Sequence, residues 1–189
     1  MRILLASRSR ERLRLLREAG FRVDAEPQEV LEEKAKSPWE AELVVVANAV
    51  RKARAASSKY RRRIIVAADT LVYDGRGVYG KPSSPEEALS MLLGFRGRSV
   101  KVATGLVVAA RGLMVCGVDR ASVRFRNFSV DEAKRYVDTG EPLDKAGAFT
   151  IRGRGALLVE RVEGHPSTVL GLPLHMLAEA FSTLGIGLG

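Results

Sequence analysis

Apolar residues in this chain gather into short continuous runs separated by longer mixed stretches, and the two kinds alternate. RILLAS, residues 2–7, suits a short buried strand, and RSRERLRLLREAG, residues 8–20, reads as a helix. Gly20 closes that helix, because glycine accepts the left-handed conformation that follows a helix. FRVDAE (21–26) reads as a second strand. RIIVAAD (63–69) is a continuous apolar run of the kind buried on both faces of a sheet. SVKVATGLVVAA (99–110), the turn at Arg111 and Gly112, and LMVCGVDRASVRFR (113–126) read as a long hairpin, with Cys116 mid-strand and expected in the core. RGALLVERVEG (154–164) reads as a further strand, and LPLHMLAEAFSTLG (172–185) as a closing helix.

Three helix starts share the S-x-x-E pattern: SPWE from Ser37, SPEE from Ser84 and SVDE from Ser129. There the serine oxygen caps a free backbone N–H and the glutamate reaches back. Two add proline at the first helical position, where its missing N–H does no harm. The pattern predicts helices near 38–57, 85–93 and 130–138. Strands alternating with helices, followed by a long antiparallel pair, predict an α/β fold with a mixed sheet. A length of 189 residues without repeats or a Pro/Gly/Ser linker predicts one domain or two closely joined lobes.

Composition narrows the class. Apolar residues at 46% and charged residues at 28% are those of an ordinary globular protein. No apolar run approaches the roughly 20 residues that span a bilayer, and the apolar start MRILLAS is too short for a secretory signal. A single cysteine, Cys116, excludes an internal disulfide and points to the cytoplasm. The net charge of +9 favours polyanionic partners, either nucleic acid or phosphorylated small molecules. The basic cluster RKARAASSKYRRR (51–63) supports nucleic acid, but six Phe, four Tyr and one Trp leave little for base stacking.

The candidate chemistry lies in a few places. ASRSRER (6–12) joins the first strand to the first helix, where backbone N–H groups and the helix dipole attract phosphate. Ser7 and Ser9 add donors there, and Arg8, Arg10 and Arg12 add charge. The alternative is a solvated basic helix start. VAADTLVYDGRGVYGKP (66–82) places Asp69 and Thr70 where the apolar run ends, then turns through glycines to Lys81. Ligands of α/β sheets gather at the carboxyl ends of strands. A carboxylate there can hold a divalent metal, act as a general base or simply cap the next turn. Lys52 lies within the helix expected at 38–57, and Lys145 lies in the tight segment DKAGAF. Each lysine could equally be an ordinary surface group. EVLEEK (29–34) could supply a second metal ligand or be a charged loop. His165 and His175 lack metal-ligand spacing, and neither a P-loop nor G-x-G-x-x-G occurs.

Taken together, these segments resemble the Maf family of nucleotide pyrophosphatases over nearly the whole chain. The likeness is carried by ILLASRSRERLRLLREAGF, NAVRKARA, AADTLV, GKPSSPEEALSMLLGFRGRSVKVATGL, TGEPLDKAGAFTIRGRGALLVERVEG and VLGLPL, with GEPLDKAGA the most specific. The resemblance implies a single Maf-like domain over residues 1–189, built as an extended mixed β-sheet with two α/β lobes flanking a cleft. It implies a homodimer, and hydrolysis of a nucleoside triphosphate to monophosphate and pyrophosphate with Mg²⁺ or Mn²⁺. By the same likeness Asp69 is the base, and Ser7, Arg12, Lys52 and Lys81 bind the substrate. Glu32 and Glu33 match the family's acidic pair, which would hold the metal together with Asp69.

The chain also departs from the family pattern. Its first loop carries Arg10 and Glu11 where S-x-S-P-R-R has proline and arginine. Arg152 stands where members that prefer dTTP and UTP carry glutamine, while the threonine of that subgroup is kept as Thr70. The likeness therefore implies the activity class. Glu11 and Arg152 leave two readings of the base, a compensating ion pair or recognition of another nucleotide such as a methylated guanosine triphosphate.

Overall fold

The computed structural model describes residues 1–188. Among these residues, seven strands form one mixed sheet, in the order β2-β1-β3-β5-β6-β7 with β4 also paired to β3. The parallel part comprises β1 (Arg2–Leu5), β2 (Arg22–Ala25) and the first residues of β3 (Ile64–Tyr73). The antiparallel part is the rest of β3 with β4 (Val78–Tyr79), β5 (Ser99–Ala110), β6 (Leu113–Phe125) and β7 (Val159–Glu163).

Side chains alternate across a strand, so β3 serves two cores at once. Ile65 and Ala67 pack under the long helix α2 (Ala41–Lys59), with Val107 and Ala109 of β5. Val66 and Ala68 face the opposite side. There they meet Leu15 and Leu16 of α1 (Arg10–Glu18) and Leu177, Ala180 and Phe181 of α6 (Leu174–Thr183). A further core lies at the other end of the long hairpin. It joins α3 (Pro85–Phe95) and α4 (Val130–Val137) to Val102, Phe125 and Phe149. The short helix α5 (Pro166–Val169) leads into α6.

The lengths of the strands create the feature that matters. β1 pairs with β3 only through Val66, after which the Ala6 N–H donates to the Val66 carbonyl. β4 joins the same edge of β3 only at Val72 and Tyr73. Among the described residues, 67–71 therefore have no strand neighbour on that side, and a notch opens in the sheet.

Five local expectations need correction. Asp69 is not at a strand tip: β3 runs on to Tyr73 because β5 pairs with it throughout, Asp69 opposite Gly105. Ser37 makes no side-chain cap: the Glu40 N–H donates to the Ser37 backbone carbonyl, the Glu40 carboxylate accepts from the Lys36 N–H, and α2 begins only after a short 3-10 turn at Pro38–Glu40. Ser84 and Ser129 do cap α3 and α4, and only Ser129 with Glu132 forms the complete reciprocal box. The first half of the 154–164 segment is a 3-10 turn at Gly155–Leu158, which leaves β7 half the expected length. Cys116 is exposed and not part of the core.

Candidate active site

The notch is furnished from both faces of β3. On the α2 face, Asn48 and Lys52 stand one helical turn apart and both reach Asp69. Lys52 Nζ donates to Asp69 Oδ1 at 2.9 Å, and Asn48 Nδ2 donates to Asp69 Oδ2 at 2.9 Å. Their approach depends on Gly105, which faces α2 from the neighbouring strand. A Cβ there would lie 2.5 Å from the Val45 carbonyl carbon and oxygen, so only glycine lets the helix sit this close.

Asn48 also organises the loop before α2. Its Oδ1 accepts from the Glu33 N–H at 2.8 Å, and its Nδ2 donates to the Glu33 carbonyl at 3.0 Å. With the backbone held there, the two neighbouring carboxylates diverge. Glu32 Oε1 lies 2.9 Å from Lys52 Nζ, beside Asp69, whereas Glu33 pairs with Arg51. A depression of about 450 Å³ adjoins this loop, lined by Val30, Leu31, Glu32, Glu33, Arg51 and Arg54.

On the opposite face, Arg12 is buried with three anchored N–H groups. Its Nε donates to the Gly171 carbonyl at 2.7 Å, Nη1 to Ser7 Oγ at 3.1 Å and Nη2 to Thr70 Oγ1 at 2.9 Å. Burial pushes its guanidinium below the usual value, and the nearby carboxylates of Asp69 and Glu32 push back. A guanidinium has five N–H groups, so two remain for a ligand. Ser9 caps α1 by accepting from the Arg12 N–H, which sets the helix start beside Ser7.

The structure thus brings Ser7, Arg12, Glu32, Lys52, Asp69 and Thr70 together around one notch. Glu33 belongs to the loop but turns to Arg51. Lys81 is exposed just after β4, and among the described residues no hydrogen bond or ion pair joins it to Asp69. Lys145 pairs with Asp144. Glu11 and Arg152 do form an ion pair, at 3.4 Å, and Arg152 also reaches Glu18 at 3.2 Å.

Sequence reasoning missed Asn48, Thr104, Gly105 and Gly171. The i, i+4 spacing of Asn48 and Lys52 was a usable signal for the first. Thr104 and Gly105 carry one only as a polar residue and a glycine inside an apolar strand.

The donor set suits a hard divalent cation. Asp69 and Glu32 both point their oxygens at one cationic nitrogen, 2.9 Å from each. Mg²⁺ is typically held by one or two carboxylates and completed by substrate phosphates, so two converging carboxylates are enough.

Comparison with known proteins places this geometry in a family. A curated dTTP/UTP pyrophosphatase of Dictyoglomus thermophilum is 39% identical over 191 residues, covering 98% of this chain and 97% of the relative. Another, from Desulfitobacterium hafniense, is 40% identical and covers 99% and 87%. The Ham1 protein of Staphylococcus aureus shares the fold alone, with a TM-score of 0.52 and 13% identity over 97% of this chain and 96% of that one. The family model described as Maf-like protein matches residues 2–184, and the chain belongs to that family.

Proposed function

We propose that this chain hydrolyses a nucleoside triphosphate, dTTP and UTP first, to the monophosphate and pyrophosphate. The observation that carries the reading is the Asp69 carboxylate, held from both oxygens at the notch and flanked by Lys52, Glu32 and Arg12. Curated relatives of near-equal length bear that activity in their names.

A triphosphate repels hydroxide, so the site must offset charge and activate water. Asp69 takes the proton of a water that attacks the α-phosphorus. The new P–O bond forms there, the bond to the α–β bridging oxygen breaks, and pyrophosphate leaves with the electron pair. The free N–H groups of Arg12, with Lys52 and Lys81, face the phosphate oxygens, where charge grows in the transition state. Ser7 keeps the Arg12 guanidinium in place. Glu32 and Asp69 would hold Mg²⁺ or Mn²⁺, which supplies Lewis-acid stabilisation of the phosphate oxygens. We place the reaction in the cytoplasm, consistent with a single cysteine and with no helix among the described residues long and apolar enough to cross a membrane. The working assembly is proposed to be a homodimer. Trp39 in the 3-10 turn before α2 and Leu43 in the first turn of α2 are both exposed and offer apolar surface to a second copy, and light scattering would measure the mass.

The test is pyrophosphate release from a panel of standard and modified triphosphates with Mg²⁺ or Mn²⁺. Asp69→Asn should lower kcat by about 10²–10⁴-fold while the protein stays folded. Undiminished turnover in that variant removes Asp69 as the base. No release from any triphosphate by the wild type removes the function itself.

A further inference from the structure

We infer that Thr104 is a positioning residue that makes Thr70 an obligatory hydrogen-bond acceptor toward the substrate. The inference rests on the pyrophosphatase reading above and adds to it the chemistry of one contact.

A threonine hydroxyl has one proton and two lone pairs. Thr104 is fully buried on β5, and its Oγ1 lies 2.8 Å from the Thr168 carbonyl. A carbonyl only accepts, so the single proton of Thr104 is committed to Thr168. The 3.0 Å contact between Thr104 Oγ1 and Thr70 Oγ1 must then be donated by Thr70. Arg12 Nη2, which can only donate, occupies one lone pair of Thr70. The chain of bonds has one direction: Arg12 to Thr70, Thr70 to Thr104, Thr104 to the Thr168 carbonyl. Thr168 is itself pinned, because its own hydroxyl donates to the Asp119 carboxylate.

Half-buried Thr70 therefore meets a ligand with one free lone pair and no proton. Phosphate oxygens are acceptors, so Thr70 is not a phosphate ligand even though it stands next to Asp69. It fits a part of the nucleotide that donates, either a base N–H, such as the imide of uracil, or a sugar hydroxyl. Thr104 touches none of these groups. It acts only through the proton it withholds from Thr70.

The experiment compares kcat/KM for UTP, 3-methyl-UTP, 2′-deoxy-UTP and 3′-deoxy-UTP in the wild type, Thr104→Val and Thr104→Ser. The wild type should lose about tenfold or more on the analogue that lacks the donor, since a buried acceptor is then left unpaired. Loss on 3-methyl-UTP identifies the base N–H, and loss on a deoxy analogue identifies the sugar. Thr104→Val frees the Thr70 proton and should shrink that ratio toward one, whereas Thr104→Ser should keep it. A role in packing alone would lower Tm in Thr104→Val and leave the ratio untouched. If Thr104→Val does not fold, Thr104→Cys replaces the hydroxyl by a weak donor and should likewise shrink the ratio. The inference is overturned if the wild type treats all four substrates alike, or if a folded valine or cysteine variant keeps the full ratio. A wild type that releases no pyrophosphate from any triphosphate overturns the underlying reading instead.

Discussion

The carboxamide of Asn48 ties the 26–36 loop to Asp69, because its oxygen and nitrogen both bind the Glu33 backbone and the nitrogen also meets the carboxylate. Asn48→Ala should therefore destabilise the fold by about 1–3 kcal/mol, the cost of leaving such buried groups unpaired. Turnover should fall with it as Asp69 loses a donor and Glu32 loses its tether, and thermal melts beside initial rates measure the two effects. The loop also separates its two acids. Glu32 stands beside Lys52 and Asp69, while Glu33 is turned to Arg51. The proposal that Glu32 holds the metal predicts that Glu32→Gln raises the Mg²⁺ concentration needed for half-maximal rate by about tenfold or more, since even outer-shell partners of metal ligands are worth about 10–100-fold. Glu33→Gln should leave that concentration near the wild-type value, and a metal titration of the two variants decides between them.

At the scale of elements, the site exists because β1 is short, β3 is long and α2 sits low on the sheet. Gly105→Ala tests the last point. An alanine Cβ would strike the α2 backbone at Val45, so the helix must lift. The expected cost is about 1–3 kcal/mol, as for other overpacked cores, with a loss of turnover because Lys52 and Asn48 ride on that helix. The parallel strands have their own fastening. Arg2 on β1 and Arg63 just before β3 both bind Asp24 on β2, chiefly through the Arg2 hydrogen bond, and hold its carboxyl at about 2. A carboxyl depressed in the folded state stabilises above its unfolded pKa, and that stability fades as pH falls through the folded one. The Tm gap between wild type and Asp24→Asn should therefore be steady near neutrality, narrow below about pH 4 and close near pH 2.

What could be read ahead of the structure was local. Ser84 and Ser129 cap helices with partners three residues away, and the run IIVAAD does lie in a buried strand. The same reading ended that strand at Asp69, because the notch is made by where β1 stops and β4 starts, and no local pattern encodes those ends. Thr104 was illegible for a similar reason: its partners lie 34 and 64 residues away and meet it only across the sheet. Ser37 shows that a motif states an option, since its glutamate accepts from the Lys36 N–H instead.

At the scale of the whole molecule, Arg152 links segments that the chain places far apart. From a turn beyond the third core it reaches back 134 residues to Glu18, and it also pairs with Glu11 beside the Arg12 cluster. The two positions that the family likeness marks as departures, arginine and glutamine in the dTTP/UTP pattern, thus meet each other here as a carboxylate and a guanidinium. A compensated exchange has a definite signature. Glu11→Arg alone sets two guanidinium groups face to face and should lower Tm. Arg152→Gln alone leaves the Glu11 carboxylate without its cation and should also lower it. The double variant E11R/R152Q removes both faults, so its Tm and its kcat/KM for UTP should lie closer to the wild type than either single variant. The coupling energy from that cycle should be about 0.2–1 kcal/mol, typical of partly exposed pairs, and should shrink in high salt as screening grows. Strictly additive losses would mean that Glu11 and Arg152 act independently, and the exchange would then need a cause outside their own pairing.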